Sequence, residues 1–230
     1  MIKYIRNLVG GFERVIKGIN LRKLKLYGPI VIGIMAVVVI LIIVQGRMNR
    51  LSQKDFDLAM ALYQEASNTG TETQEKKTEK FKEATNKLKK ALSSYPWAEN
   101  RSQVLFYLAN CYYALEDYDL AQEILEKWIK KYPDDYFFPL AQFKLASIRE
   151  QKGETSRAIE IYQELIERYP NSALAPQAVL GKARCQEILG EWKKAFQDYQ
   201  ELISRYPLSE AASLGKVRIE CLRVEDKIKT

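Results

Sequence analysis

The sequence contains no histidine, and this absence removes several classes of function at once. Histidine-based catalytic triads and proton shuttles need an imidazole, so both are excluded. The three cysteines, Cys111, Cys185 and Cys221, lie far apart without a C-x-x-C pair, which argues against a zinc site. Their odd number argues against a fully paired disulfide framework. Two interpretations stay open, namely three buried core thiols or a bridge between Cys185 and Cys221.

Glycine-rich nucleotide-binding motifs are also missing. Neither G-x-x-x-x-G-K-[ST] nor G-x-G-x-x-G occurs. Carboxylates are numerous, but they are scattered among lysines, and Glu160, Glu164 and Glu167 follow the spacing of a solvated helix face. No pair stands out as a general acid and base. We therefore expect a non-enzyme without catalytic residues, metal or cofactor.

The net charge of +7 is distributed unevenly along the chain. Residues 1–28 contain seven basic residues and one acid, so that this stretch alone carries +6. The remainder carries about +1, so it has no basic face by count. Nucleic acid is therefore not expected as a partner.

One long run without charge is present, the 19 residues LYGPIVIGIMAVVVILIIV at Leu26–Val44. As a helix it would be roughly 28 Å long, close to the hydrocarbon thickness of a bilayer. We predict a transmembrane helix at residues 26–46. A cleaved signal peptide is the main alternative, but the run is long for one and no A-x-A site follows. No cysteine stands nearby to serve as a lipoprotein anchor.

Basic residues on the N-terminal side predict the orientation of this segment. Arg47, Arg50 and Lys54 follow it, but more basic residues precede it, which favours a cytoplasmic N-terminus. The rest of the chain would then lie in a bacterial periplasm, as a single-pass protein of the inner membrane, or in a mitochondrial intermembrane space. Residues 1–25 have the spacing of a basic amphipathic helix. Its apolar face could meet lipid or a partner helix, and its membrane-surface residues would be Lys3, Arg6, Arg14, Lys17, Arg22, Lys23 and Lys25.

A repeat of 37 residues organises the rest of the chain. Its most visible mark is a Tyr-Pro pair that occurs four times, at Tyr95, Tyr132, Tyr169 and Tyr206. Apolar residues within each repeat are spaced by three and four, which predicts two helices per unit. A fixed period of this size is typical of a solenoid. Alanines recur in two columns of equivalent positions, Ala84, Ala121, Ala158 and Ala195 in one, and Ala109, Ala146 and Ala183 in the other.

This pattern resembles the tetratricopeptide repeat family. The matching residues of one unit are Gly190, Trp192, Ala195, Tyr199 and Pro207. The resemblance implies an all-α fold, an α-solenoid of helix hairpins, over residues 81–226. A membrane-proximal helix and polar loop at 47–80 would precede it, and "EAASLGKVRIECL" would form a C-terminal capping helix. Such repeats serve as scaffolds that bind other proteins.

The resemblance also implies where a protein partner would bind. The first helix of each unit lines a groove in this family, and its exposed positions meet the ligand. The lysine-asparagine clamp that some members use for carboxylate tails is not evident, since Asn110 alone fits it. Each aromatic could instead belong to the core. The positions implied are Phe106, Asn110, Tyr113, Phe143, Ser147, Arg184 and Glu187.

Three consecutive aromatics, Tyr136, Phe137 and Phe138, follow one Tyr-Pro pair. The other units have small or polar residues at the equivalent positions, so the repeat itself does not require aromatics there. We expect one of the three to pack as Leu174 does. The others either form a partner surface or fill space locally, for instance against the helix at residues 52–67.

The layout of basic tail, single span and repeats resembles the YfgM-like ancillary subunits of the Sec translocon. That resemblance implies a periplasmic adaptor at the inner membrane, with translocon subunits or periplasmic chaperones as partners. The repeat style also resembles the Tol-Pal coordinator and the barrel-assembly lipoprotein, but neither has this anchor. A structural accessory subunit of a membrane complex, such as a respiratory one, is a further alternative.

Overall fold

The computed structural model describes residues 21–68, 73–225 and 227–228, and among these it leaves the side chains of residues 21–26 and 28 undescribed. Four predicted membrane-surface residues, Lys3, Arg6, Arg14 and Lys17, lie outside the described residues. Arg22, Lys23 and Lys25 lie in a helix, but their side chains are outside the description. The predicted contact of the N-terminal tail with lipid therefore stays a prediction.

The described part of the chain is all-α, with nine helices and no strand. The helices are α1 (Leu21–Ser67), α2 (Gln74–Ser94), α3 (Arg101–Ala114), α4 (Tyr118–Lys131), α5 (Phe138–Gln151), α6 (Thr155–Arg168), α7 (Ala175–Ile188), α8 (Trp192–Arg205) and α9 (Glu210–Val224). The chain divides into two compact units, Met1–Arg50 and Leu51–Thr230.

The first unit contains the apolar part of α1. Every side chain from Pro29 to Val44 is exposed, including Ile32 at 72% and Ile42 at 65%. The mean hydropathy of this stretch reaches 2.8 over an 18-residue window, with no part of that window buried. A helix that is apolar on every face and covered by no protein is long and apolar enough to cross a bilayer.

In the second unit, consecutive helices pack as antiparallel hairpins, α3 with α4, α5 with α6 and α7 with α8. The predicted alanine columns are buried, and Ala84, Ala121 and Ala158 are not exposed at all. The prediction of a helical solenoid is confirmed. Small residues recur at these positions because two helix backbones can approach closely only where no large side chain stands between them.

The turn inside each hairpin contains a residue in the left-handed backbone region. Gly153 and Gly190 take this position with φ of 75° and 73°. Glu116 takes the equivalent position in the first hairpin with φ of 60°. A glycine adopts this conformation at little cost, whereas a residue with a Cβ pays about 1–2 kcal/mol.

The Tyr-Pro pairs end the second helices, as predicted, and short capped loops lead into the next unit. The Asp135 carboxylate accepts a hydrogen bond from the Phe137 backbone N–H at 2.9 Å. The Ser209 hydroxyl accepts one from the Ala212 N–H at 3.0 Å and so caps α9. The Asp135 bond stabilises the turn before α5, whereas the Ser209 bond satisfies an N–H group that a helix start leaves without a partner.

Residues 51–67 of α1 pack on the beginning of the solenoid. Phe56 and Tyr63 each contact the ring of Tyr107 at 5.6 Å between centroids. The Ser52 hydroxyl donates a hydrogen bond to Asn100 at 2.7 Å, and the Asp55 carboxylate pairs with Lys90 at 3.2 Å. The helix predicted at residues 52–67 is therefore the C-terminal part of α1 and packs against the repeats.

The other end of the described solenoid is formed by α9. Glu220, in the column otherwise held by buried alanines, is exposed and pairs with Arg223 at 2.7 Å. The described residues after α9 contain no further helix. All three cysteines are free thiols, with Cys111 and Cys185 buried, so the alternative of a Cys185–Cys221 bridge is wrong.

The buried thiols predict a loss of stability in alkaline solution. Burial raises the pKa of both Cys111 and Cys185 to about 12, from an ordinary value of 9.0. Below pH 9 each thiol is protonated in the folded and the unfolded chain. Between pH 9 and 12 the unfolded chain ionises first, so the free energy of unfolding should fall as the pH rises. Burial raises the pKa of Tyr162 and Tyr199 too, which acts in the same direction.

Among the described residues, Lys144 opposes this trend, because burial lowers its pKa. Urea unfolding at pH 8.0, 9.5 and 10.5 would measure the balance, and the midpoint should fall at each step. A Cys111→Ala, Cys185→Ala double variant should show a shallower fall. Equal slopes in the double variant and the original chain would contradict the assignment to the thiols.

Candidate functional site

One predicted binding residue, Arg184, pairs with a largely buried carboxylate on the preceding first helix, that of Glu150 in α5. Arg184 of α7 donates two hydrogen bonds to it, a short one from Nε to Oε1 and one from Nη2 to Oε2 at 2.8 Å. The Glu150 side chain is only 9% exposed, whereas the Arg184 side chain is 53% exposed. The carboxylate therefore lies below a guanidinium that faces solvent.

A tyrosine supports this pair from beneath. The Tyr162 hydroxyl of α6 lies 3.2 Å from Oε2 of Glu150 and donates a hydrogen bond to it. Ser147 of α5 lies 3.3 Å from the same hydroxyl. Hydrogen bonding to Glu150 raises the pKa of Arg184, so the guanidinium stays charged throughout the accessible pH range. Several donors on one carboxylate hold it in a single orientation.

The same arrangement recurs one repeat later. The Tyr199 hydroxyl of α8 donates to Oε1 of Glu187 at 2.6 Å. Arg218 of α9 donates to both oxygens of Glu187, from Nε at 3.3 Å and through a short bond from Nη2. The Glu187 side chain is 9% exposed and that of Arg218 is 40% exposed. This second carboxylate is also covered by a cation from the next first helix.

The earliest repeat replaces the ion pair by a cation over an aromatic ring. Lys144 of α5 places its Nζ 4.2 Å from the ring centroid of Tyr113 in α3. Burial raises the pKa of Tyr113. Thus α5, α7 and α9 each extend a basic side chain back to the preceding first helix. We call this row, Tyr113 with Lys144, Glu150 with Arg184 and Glu187 with Arg218, the first-helix face.

The period of 37 explains which residues take part. Tyr113, Glu150 and Glu187 occupy one column, and Lys144, Gly181 and Arg218 occupy another. The middle position of the second column is the exception. A Cβ at Gly181 would lie 2.6 Å from Cζ of Tyr162, so the ring leaves no room for a side chain there. Arg184, one turn further along α7, supplies the cation instead.

Sequence reasoning missed Glu150, Lys144 and Arg218. For Glu150 the signal was present, because it shares a column with the predicted residues Tyr113 and Glu187. A step of 37 back from Glu187 leads to Glu150, and a second step leads to Tyr113. The supporting tyrosines, Tyr162 and Tyr199, are also one period apart, and Tyr199 was identified only as a repeat residue. Their burial at 0% and 1% marks them as the floor of the face.

Two family models match the chain. A model of a tetratricopeptide repeat-like domain matches residues 24–163, and a tetratricopeptide repeat model matches residues 143–210. The first match alone covers more than half of the chain. The chain belongs to the tetratricopeptide repeat-like family.

Solved tetratricopeptide repeat structures share the fold. YrrB, described as having an unusual peptide-binding site, is 21% identical with a TM-score of 0.51, over 60% of this chain and 66% of YrrB. A Parabacteroides merdae tetratricopeptide repeat protein is 17% identical with a TM-score of 0.55, over 74% and 62%. MamA is 20% identical with a TM-score of 0.53, over 77% and 89%.

These similarities show the fold alone. The chain spans slightly less than two thirds of YrrB and of the Parabacteroides protein. No curated protein sequence matches it. Tetratricopeptide repeat proteins are generally scaffolds for protein-protein interaction, and the described residues contain no metal-binding cluster of histidine, cysteine and carboxylates.

Two predicted groove residues, Phe106 and Asn110, and one residue of the aromatic triplet, Phe138, are core residues instead. Phe106 is 1% exposed, Phe138 is 4% exposed and Asn110 is 6% exposed. Phe106 contacts Trp128 of its own hairpin, and Phe143 packs half-buried against Tyr162. The alternative of core packing is therefore correct for Phe106 and Phe138. Both side chains belong to the same buried hydrophobic cluster.

The aromatic triplet separates into three environments. Phe138 packs in the core beside Tyr169, at 6.3 Å between ring centroids. Phe137 is half-buried and stacks on Phe106 at 5.0 Å. Tyr136 is 91% exposed. Two of the three side chains therefore fill space within the domain, and only Tyr136 of the triplet exposes most of its ring to solvent.

Substitution of Gly181 by alanine is expected to destabilise the tetratricopeptide domain by about 1–2 kcal/mol. The new methyl group would displace the rigid Tyr162 ring, and overpacking of this kind outweighs the gain in helix propensity of about 1 kcal/mol. Gly215→Ala is the matched control. Its Cβ would meet the flexible end of Leu202 at 3.2 Å, so propensity should dominate and stability should hold or rise. Urea unfolding followed by circular dichroism measures both, and equal shifts would contradict the role of Tyr162.

Proposed function

We propose that this protein is a membrane-anchored tetratricopeptide scaffold that binds other proteins through its first-helix face. The observation that carries the proposal is the row of exposed cations over buried carboxylates, Arg184 over Glu150 and Arg218 over Glu187. Guanidinium groups held in fixed orientations can bind backbone carbonyls and carboxylates of a peptide. Because each guanidinium is paired with a carboxylate, the face has little net charge. It would therefore recognise polar groups by hydrogen bonding and not by a strong positive potential.

The anchor in this proposal is the apolar segment at residues 26–46. Its support is the uncovered apolar surface of α1 and the family match, which begins at residue 24 and so extends through the segment. The excess of basic residues before the segment supports a cytoplasmic N-terminus. We accordingly propose a tail at residues 1–25, a span, a membrane-proximal stretch at 47–80 and a periplasmic repeat domain at 81–226, in a bacterial inner membrane.

The proposed partners are proteins of the same membrane or of the periplasm, with translocon subunits and periplasmic chaperones as the specific hypothesis. The general part of this hypothesis is supported by the family, and by YrrB as a peptide-binding member of the same fold. The specific part depends on the layout of tail, span and repeats.

Site-specific photocrosslinking in intact cells would test the proposal. The probe would replace Arg184 on the first-helix face, with a control probe at Glu160, an exposed residue of the second helix α6. Adducts with one or a few proteins at Arg184 only, identified by mass spectrometry, are the expected result. Subunits of a respiratory complex among them would favour the accessory-subunit alternative.

Equal adducts at both positions, or none at either, would contradict partner binding by this face.

The orientation of the chain in the membrane needs its own measurement. Protease added to spheroplasts should digest the repeat domain, and digestion only after lysis would reverse the proposed orientation.

A further inference from the structure

Two large aromatic side chains stand exposed on neighbouring Tyr-Pro loops, Trp97 at 75% and Tyr136 at 91%. The repeat does not require either of them, because the equivalent positions of the other loops differ in character. The residues equivalent to Trp97 are Asp134, Asn171 and Leu208, and those equivalent to Tyr136 are Glu99, Ala173 and Glu210.

The loop that carries Trp97 is bonded to the point where the chain enters the repeat unit. Asn100 accepts a hydrogen bond from Ser52 at 2.7 Å and donates one to Gln53 at 3.2 Å. Ser52 comes eight residues after Val44, the last residue of the apolar run. The loop with Trp97 is therefore bonded to residues that follow the apolar run closely in the sequence.

Tyr136 lies on the same edge of the solenoid as Trp97. Its neighbour Phe137 stacks on Phe106 of α3, and the loop with Trp97 leads directly into α3. Trp192 marks the opposite edge. It begins α8 at the turn after α7, and α7 has 14 residues, so about 21 Å of helix separates that turn from a Tyr-Pro loop.

The chemistry of these residues suits the boundary between lipid and water. Tryptophan and tyrosine combine an apolar ring with a polar tip, and they are enriched at the headgroup level next to membrane spans. The charges around Tyr136 cancel, with Lys130 and Lys131 against Asp134 and Asp135. Contact at this edge would therefore depend on aromatic rings and very little on lipid charge.

We infer that the edge formed by Trp97 and Tyr136 rests on the headgroup region of the bilayer. This inference rests on the proposed membrane anchor. It assigns Tyr136 to lipid contact and leaves the first-helix face to protein partners. A domain held by its span and by this second contact would present that face in a restricted orientation.

Tryptophan quenching by lipid in liposomes would test the contact with the full chain. Lipids that carry a nitroxide on the headgroup quench indole rings at the interface. The protein contains three tryptophans, and Trp128 is 1% exposed in the core. Trp97→Phe and the matched control Trp192→Phe would be compared with the original chain. The lipid-dependent quenching should disappear in Trp97→Phe and persist in Trp192→Phe, in neutral and in anionic liposomes.

Each outcome has a separate meaning. If the protein fails to float with liposomes after alkaline carbonate treatment, the proposed anchor itself is wrong. If it floats but Trp97 is not quenched, only the inference fails. Quenching that is lost in Trp192→Phe would place the opposite edge at the lipid. A photoprobe at Tyr136 that captures protein and not lipid would also overturn the inference.

Tyr136 can be tested by a second pair of variants. Tyr136→Ser should reduce the quenching of Trp97, because the edge loses one of its two rings. Leu208→Ser is the control, since Leu208 is 100% exposed on the last Tyr-Pro loop, which is the furthest from α1 along the repeats. Unchanged quenching in Tyr136→Ser, or an equal loss in both variants, would remove Tyr136 from the contact.

Discussion

Replacement of Trp128 by alanine is expected to lower the free energy of unfolding by about 3–5 kcal/mol. Trp128 is 1% exposed, and its indole N–H donates to the Ser102 carbonyl at 2.7 Å. Its ring contacts Phe106 at 6.1 Å and Tyr132 at 5.5 Å between centroids. Alanine would leave a large cavity between α3 and α4 and would remove the indole hydrogen bond to the Ser102 carbonyl. The loss is a large share of the 5–15 kcal/mol that stabilises a typical domain.

Urea unfolding in detergent, followed by circular dichroism, would measure this effect. Trp128→Phe helps to separate the two causes, because it retains most of the ring volume but removes the hydrogen bond, whose loss costs about 1–3 kcal/mol. Trp192→Ala is the control, since Trp192 is half-buried at a turn and should cost less. A loss below about 1 kcal/mol for Trp128→Ala would mean that the first hairpin is not a cooperative part of the solenoid.

Two arginines in the middle of the apolar segment are expected to abolish stable membrane integration. Met35 and Val38 lie near the centre of the run and are 50% and 45% exposed. Each arginine at the centre of a span costs about 2.5–3.5 kcal/mol of insertion free energy, so the pair costs roughly 5–7 kcal/mol. The Met35→Arg, Val38→Arg chain should therefore move from the carbonate-resistant membrane fraction to the soluble or aggregated fraction.

The matched control is the double leucine variant at the same two positions, which should remain carbonate-resistant. Both variants should have the same repeat-domain content by circular dichroism, because the repeats form a separate unit that begins at Leu51. An arginine variant that stays in the carbonate-resistant fraction would show that this segment is not the anchor.

The architecture could be predicted from the sequence because its causes are local and periodic. Helices follow from apolar spacing of three and four, and their ends follow from Tyr-Pro pairs and glycines at fixed steps of 37. Alanine columns mark close helix contacts in every unit, and Ala109, Ala146 and Ala183 are all fully buried. Because each residue pattern recurs three or four times at the same step, it predicts the helices and their contacts without knowledge of the packing.

The candidate site depends on interactions between units, which repeat spacing describes only in part. A step of 37 connects Glu150 with Glu187, but it assigns their partners to different columns, Arg184 in one case and Arg218 in the other. The position equivalent to Arg218 is Gly181, which has no side chain and packs against the Tyr162 ring, so the cation comes from one turn further along α7.

Burial of the aromatic residues was likewise decided by tertiary structure. Tyr136, Phe137 and Phe138 are consecutive and similar in the sequence, yet Phe138 is 4% exposed and Tyr136 is 91% exposed. The sequence by itself determined that the chain is a helical repeat preceded by an apolar helix. Only the packing of each unit on the next determined which side chains face solvent, because consecutive residues in the turn that leads into a helix point in different directions.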